Sequence, residues 1–341
     1  MKPGAKQEAE WTRRKFLATG AIGTAGGLLV YAGFERIHAL YEDGKRADVC
    51  VAKAGDYGKP LKTIILDGMA ALGVGAADVS GKRILLKPNF VEPEPNRPQI
   101  VTHPLVVHAA AEAFLSLGAA EVLVAEAAGH RRDTVLILET AGMADVLRDA
   151  KIRFIDLNYV DTVAVPNTAG CSAMRTFEVP KLLRSVDWIV SMPKMKTHHW
   201  AGVTLSMKNL FGAMPGCVYG WPKNVFHHLG IDNCILDLNA MLQPHFAIVD
   251  GIVGMEGDGP IMGDAKHAGL LVMGKNLPAV DATCARLMGV NPLKVPHLKQ
   301  ASGWLGPIRE EHIAQRGENI RDVAVKFALL DKVPAQRGIR L

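Results

Sequence analysis

The sequence predicts an α/β fold with a mostly parallel central sheet flanked by helices. Three observations carry that reading. After residue 45, short apolar runs alternate with longer amphipathic ones. The short runs are bounded by turn residues, the pattern of βαβ units. Polar and charged residues recur just past the ends of those runs, where open parallel sheets bind ligands.

Strands are expected at 48–52, 83–87, 121–125, 153–156, 188–192, 246–250 and 270–273, and helices at 61–72, 104–117, 136–149, 225–241 and 278–288. Pro104 after His103 has the placement of a proline that opens a helix, and Gly118 sits where that helix would stop. The proline-rich stretch that follows the second strand, "KPNFVEPEPNRPQI", reads as a surface loop beside a site. Apolar residues make up 49% of the 341 positions and charged residues 21%, enough to bury a sizeable core and too apolar for a disordered chain.

The first 40 residues read as an address and are left out of the fold. Thr12, Arg13, Arg14, Lys15, Phe16 and Leu17 begin "TRRKFL", and an uncharged run continues to Phe34. The order resembles the twin-arginine export signal of bacteria. A transmembrane anchor is the alternative, because the 19-residue run from Phe16 to Phe34 approaches a bilayer's thickness. Gly20, Gly23, Gly26, Gly27 and Gly33 dilute it and favour the signal. No clean Ala-x-Ala site follows, although Ala32 or Ala39 could serve, so retention as an N-terminal tether is a second alternative. The expectation is a periplasmic or other extracytoplasmic protein with the twin-arginine translocase as partner, touching a membrane only through an uncleaved signal. That route carries proteins already folded, often with a cofactor in place.

The net charge of +5 is mild, and part of it comes from Lys2, Lys6, Arg13, Arg14 and Lys15. No basic stripe interleaved with aromatics is present, so nucleic acid is not an expected partner. Cys50, Cys171, Cys217, Cys234 and Cys284 form no C-x-x-C pair, so no built-in iron–sulfur cluster or thiolate zinc site is expected. The G-x-G-x-x-G, G-x-x-x-x-G-K-[ST] and H-E-x-x-H patterns are absent. Ser191-Met-Pro-Lys194 fits S-x-x-K, but that motif opens a helix and Pro193 drives Met192 out of the helical region.

Two constellations carry chemistry. In "SMPKMKTHHWAGVTLSMKNLFGAMPG", Lys194, Lys196, His198, His199, Lys208 and Asn209 fall within 16 residues after an apolar strand. Lysines and imidazoles at a strand end can hold a phosphate or carboxylate, or move a proton. The bland alternative is solvated loop charges with His199 at the surface. A short helix over 202–211 would put Thr204 and Lys208 on one face. In "DGIVGMEGDGPIMGD", Asp250, Glu256, Asp258 and Asp264 are interleaved with glycines, a set of oxygen donors suited to Mg²⁺ or Ca²⁺ or, equally, a glycine turn whose acids cap amides. His228 and Asp232 four residues on read as a structural pair.

Together, "LLKPN", "PKMKTHHWAGVTLSMKNLFG", "IVDGIVGMEGDGP" and "PAVDAT" resemble the bacterial and archaeal family labelled domain of unknown function 362, over roughly residues 48–292 of a single α/β domain at 45–341, with 293–341 a C-terminal extension. The resemblance implies motif positions at Lys87, Pro88, Asn89, Lys194, Lys196, Thr197, His198, Lys208, Asn209, Asp250, Glu256 and Asp281. It brings no established activity. Many relatives carry a ferredoxin-type cysteine cluster that this chain lacks.

The expected function is an exported enzyme acting on a small anionic molecule bearing phosphate or carboxylate. The alternative is a non-catalytic binding or accessory protein for an anion, a metal or a redox partner. Lys87, Lys194, Lys196 and Lys208 would hold the anion, and His198 would be the general acid–base, with Lys196 and Lys208 beside it in catalysis. Asn89, Thr197 and Asn209 would orient the ligand, and Asp250, Glu256 and Asp258 would hold a divalent cation.

Overall fold

A computed structural model describes residues 45–129 and 133–341, and the twin-arginine-like segment lies outside the described residues. The strands are β1 (Ala47–Lys53), β2 (Arg83–Pro88), β3 (Glu121–Glu126), β4 (Arg153–Asp156), β5 (Thr162–Pro166), β6 (Thr176–Pro180), β7 (Trp188–Met192), β8 (Lys194–His198), β9 (Gly202–Thr204), β10 (Phe246–Glu256), β11 (Asp264–Gly274) and β12 (Ile313–Gly317). The principal helices are α1 (Leu61–Ala71), α2 (Pro104–Ser116), α3 (Thr134–Thr140), α4 (Met143–Asp149), α5 (Ile231–Leu242) and α6 (Leu277–Leu287).

The main sheet runs β12-β1-β11-β10-β7-β2-β3-β4, with β8 also paired to β10 and β9 to β8. Its pairings are parallel except where β11 meets β1 and β10 and where β9 meets β8. This is the predicted α/β architecture. Alternate residues feed opposite cores: Leu85, Val249 and Val272 face one, and Ile84, Leu86, Ile248 and Leu271 the other. Helices α1 to α4 cover the second face and α5 and α6 the first. Both faces are buried, which is why these strands read as continuous apolar runs.

The helices follow local rules. Leu61, Ile65 and Met69 form the buried stripe of α1 at four-residue spacing. In α2, Pro104 occupies the first turn and the His103 side chain accepts the Leu105 amide. The helix expected at 136–149 is split into α3 and α4 by Gly142 at φ 66°, and the one expected at 225–241 is split by Gly230 at φ 99°. That second break separates His228 from Asp232, whose carboxylate instead lies 3.1 Å from His297 Nδ1. No helix among the described residues is long and apolar enough to cross a membrane.

Two differences matter for the site. The lysine-rich stretch after β7 is not a loop: β8 is a buried strand, parallel to β10 and antiparallel to β9. The glycine-rich "DGIVGME", of which only Asp250 falls in the strand expected at 246–250, is not a glycine turn either. It is the second half of β10, paired with β11 from Val253↔His267 to Glu256↔Asp264. Its glycines serve close approach: a Cβ at Gly254 would press on Met195 O and the Phe327 ring. The expected helix over 202–211 is strand β9, then a short helix Ser206–Asn209, then a 3₁₀ turn Leu210–Ala213. Gly202 at φ 75° closes the β8–β9 hairpin, and Thr204 pairs with Lys196 instead of sharing a helix face with Lys208.

Candidate functional site

Strand geometry assembles the first part of the site. With a period of two, Lys194, Lys196 and His198 of β8 share one side while Met195 and Thr197 point the other way. All five are buried, so each polar group needs a partner.

Lys194 finds a carboxylate. Its Nζ donates to Asp250 Oδ2 at 2.6 Å and to the Tyr57 hydroxyl at 3.0 Å. Asp250 also accepts the Tyr57 hydroxyl (3.1 Å) and the amides of His103 (3.0 Å) and Ile252 (3.2 Å). Burial pushes the Tyr57 phenol far up, and the neighbouring Asp250 carboxylate adds to it. Asp250 is thus surrounded by protein donors. Lys196 has no carboxylate and donates to Ile100 O at 2.9 Å and Pro260 O at 3.1 Å. Burial drives its pKa well below the usual lysine range, with Lys208 and Lys194 pushing the same way. Thr197 donates to Gly257 O at 2.9 Å and ties β8 to the end of β10.

Lys87, at the end of β2, forms a buried ion pair with Glu126 at the end of β3 and donates to Asn209 Oδ1 at 3.2 Å. Asn209 Nδ2 donates to Lys87 O (3.0 Å) and Ser191 Oγ (3.1 Å), which fixes the 206–213 segment against β2 and β7. Asp281 of α6 caps the same segment by accepting the amides of Ser206 (2.7 Å) and Met207 (2.9 Å) and the Ser206 hydroxyl. Gly212 completes the packing, since a Cβ there would overlap the Lys87–Glu126 pair. Burial raises the Glu126 carboxyl to about 7, with Lys87 pulling against it.

These supports surround a cavity of about 220 Å³ beyond the carboxyl ends of β2, β3 and β8. Of the residues expected from sequence, His198, Lys208, Asn89, Asn209 and Asp258 line it; Lys87, Lys194, Lys196, Thr197, Asp250 and Glu256 do not. Glu256 is instead held by Lys266 at 3.2 Å and the Ala328 amide at 2.8 Å. The three carboxylates expected to share a cation are therefore not brought together. Among the described residues no group of three or more His, Cys, Asp or Glu side chains is arranged to hold a metal ion.

The cavity's own chemistry is distinct. Lys208 has no hydrogen-bonded or ion-paired partner among the described residues; its Nζ lies 4.8 Å from the Phe211 ring centroid. Burial lowers it to about 8, with Lys87 contributing. Asn89 Oδ1 and Thr204 Oγ1 are buried on the cavity wall without hydrogen-bond partners. His198 Nδ1 accepts the amides of Trp200 (3.0 Å) and Ala201 (3.1 Å). Burial, then Lys208 and His199, hold its pKa well below the usual imidazole value. With Nδ1 accepting two amides, the neutral ring carries its proton on Nε2 and presents a hydrogen-bond donor there. His199 is the complement. Its Nδ1 lies 2.9 Å from Gly259 O and donates to it, which leaves a lone pair on Nε2 when the ring is neutral. The two rings are 4.8 Å apart.

Sequence reasoning missed Lys223, Thr204 and His227 as cavity residues; His199, counted in the lysine–histidine cluster with the surface as its alternative, does line the cavity. Lys223 donates to Ala127 O at 2.9 Å and Ala128 O at 3.3 Å, and burial lowers it to about 8. Glu126 was legible as a strand-end acid. His227 fell inside the helix expected at 225–241 and Lys223 just ahead of it, with no motif to point to either.

Fold and site together define an α/β protein with a small polar cavity at the carboxyl ends of parallel strands. The chain belongs to the family described as domain of unknown function (DUF362), whose model matches residues 84–286. It is 26% identical to a thylakoid-associated protein of Synechocystis sp. over 234 residues, 66% of this chain and 68% of that one. Among solved structures it is similar to the lactate racemase apoprotein of Thermoanaerobacterium thermosaccharolyticum (14% identity, TM-score 0.41, 71% of this chain and 57% of that one). A Thermotoga maritima protein gives 14% identity and a TM-score of 0.39, over 65% of this chain and 58% of that one. The chain thus spans a little over half the length of those two structures.

The buried Lys194–Asp250 pair yields a stability prediction. Asp250→Asn leaves Lys194 buried without its counter-charge and lowers unfolding free energy at neutral pH by about 3–5 kcal/mol, read by urea denaturation. Adding Lys194→Met to that variant restores much of the loss.

Proposed function

We propose that the chain is an enzyme acting on a small anionic molecule that carries a phosphate or carboxylate. The reading rests on one observation: an ammonium without a partner, Lys208, faces a cavity whose buried Asn89 and Thr204 side chains also lack partners. Native proteins leave few buried polar atoms unpaired, and a cluster of them around one cavity is what a ligand completes. Lys208 supplies the charge, and the neutral His198 Nε2–H donates to the same anion. Asn89 and Thr204 take hydrogen bonds from, or give them to, a neighbouring hydroxyl or amine of the ligand. His199 Nε2 is the proton acceptor. That base beside an anion cradle favours an enzyme over the alternative of a passive binding protein. Export by the twin-arginine route is part of the proposal and rests on "TRRKFL".

Calorimetry with inorganic phosphate and acetate tests the anion site. Lys208→Met should weaken binding by tenfold or more, whereas His199→Gln should keep affinity and lose turnover in a screen of organic phosphates and carboxylates. Binding indifferent to Lys208 contradicts the reading.

The pH dependence has a definite sign. Lys208 and Lys223 lose their charge through about 8, below their ordinary value, and Glu126 gains one through about 7, above its ordinary value. Each change disfavours a bound anion as pH rises. Affinity should be greatest below neutrality and fall about tenfold or more by about pH 9, with a shallower fall in Lys208→Met.

Replacing Arg13 and Arg14 together by lysine should leave the full-length precursor in the cytoplasmic fraction. Accumulation of that variant in the periplasm contradicts the twin-arginine assignment.

A further inference from the structure

The cavity has two chemically different ends. Lys208, His198 and Asn89 furnish polar groups, yet Trp200 and Met262 line the same cavity while 56% and 68% exposed. One large apolar side chain in water is ordinary. Two on the exposed lining of one cavity offer apolar surface to whatever enters it. Trp200 is also held in place: its ring stands edge-on to His199 and to His227, each at 4.9 Å between centroids. It is a fixed platform beside the proton acceptor.

Size decides what can lie inside. A volume of about 220 Å³ is below the roughly 300–1,000 Å³ of pockets that enclose drug-sized ligands. It fits an anionic group with a short carbon body. Anything longer reaches the exposed part of the lining, which Trp200, Met262 and Asp258 form.

Building on the anion site above, we infer that the ligand is amphiphilic. Its anionic group lies against Lys208 and His198, and it is joined to an apolar chain or ring that leaves through the mouth and covers Trp200 and Met262. The apolar part supplies affinity by surface burial, and the polar part fixes orientation.

The test uses methyl, butyl and octyl phosphate, with the carboxylates of matching length, each below its micellar concentration. Binding is followed by calorimetry and by intrinsic tryptophan fluorescence. Affinity should rise with chain length, by up to about fourfold per buried methylene, and the octyl probes should shift the Trp200 emission. A Trp200→Ser, Met262→Ser variant should bind octyl phosphate about tenfold more weakly and methyl phosphate unchanged. Both positions are exposed, so the variant retains its fold, checked by circular dichroism. Equal affinity for methyl and octyl phosphate, or octyl affinity unchanged in the double variant, overturns the amphiphile while leaving the anion site standing. Failure of every probe to bind overturns both. A further arm offers phosphatidic acid in vesicles. Trp200-dependent binding to vesicles places the amphiphile in a membrane, and binding to free octyl phosphate alone makes it a soluble metabolite; either supports the inference.

Discussion

A buried strand with lysine at alternate positions must satisfy each ammonium separately, and much of this molecule is arranged around that requirement. Lys194 takes Asp250, itself held by Tyr57 and the His103 and Ile252 amides. Lys196 takes the carbonyls of Ile100 and Pro260, drawing the loop after β2 and the turn after β10 onto the same strand. Thr197, on the opposite side, binds Gly257 O. For β10 to lie that close to β8 its sequence must be thin, which is the physical reason for glycine at 251 and 254. The glycine-and-acid motif and the lysine-and-histidine motif are therefore two sides of one packing problem.

The same economy separates support from chemistry. Lys87 and Glu126 satisfy each other, Asn209 braces the pair, and Asp281 caps the segment that carries Asn209 and Lys208. Half-buried Lys208, the His198 Nε2–H, the buried Asn89 Oδ1 and Thr204 Oγ1 and the carboxylates of Glu126 and Asp258 line the cavity. Buried polar atoms without partners are costly, at about 1–3 kcal/mol each, so Asn89 Oδ1 and Thr204 Oγ1 on one cavity wall point to a ligand that completes them. Burial, with Lys87 contributing, lowers the Lys208 pKa to about 8, close enough to neutrality for anion binding to be coupled to proton uptake.

The sheet was legible because its central strands are buried on both faces and so read as unbroken apolar runs, "ILL", "VLVA", "IV" and "FAIV". Strand β8 was not, because a strand of lysine, threonine and histidine carries no apolar signature; only its three-dimensional neighbours bury it. The second half of β10 was hidden for the opposite reason, since glycines that read as a loop are what close approach demands. Within the site, the residue types were legible and their pairing was not. Nothing in the spacing says that Asp250 belongs to Lys194, or that two adjacent histidines hold their protons on different nitrogens. That last distinction comes from backbone groups: amides point at His198 Nδ1 and a carbonyl at His199 Nδ1.

The central claim is that Lys208 is a partnerless ammonium waiting for an anion. Lysine ¹³Cε NMR, with the Lys208 signal assigned by its loss in Lys208→Met, measures this directly across a pH titration with and without inorganic phosphate. The account predicts a midpoint near 8 in the free protein, displaced upward when phosphate is bound. A midpoint at the ordinary lysine value of about 10.4 that phosphate does not move would contradict it.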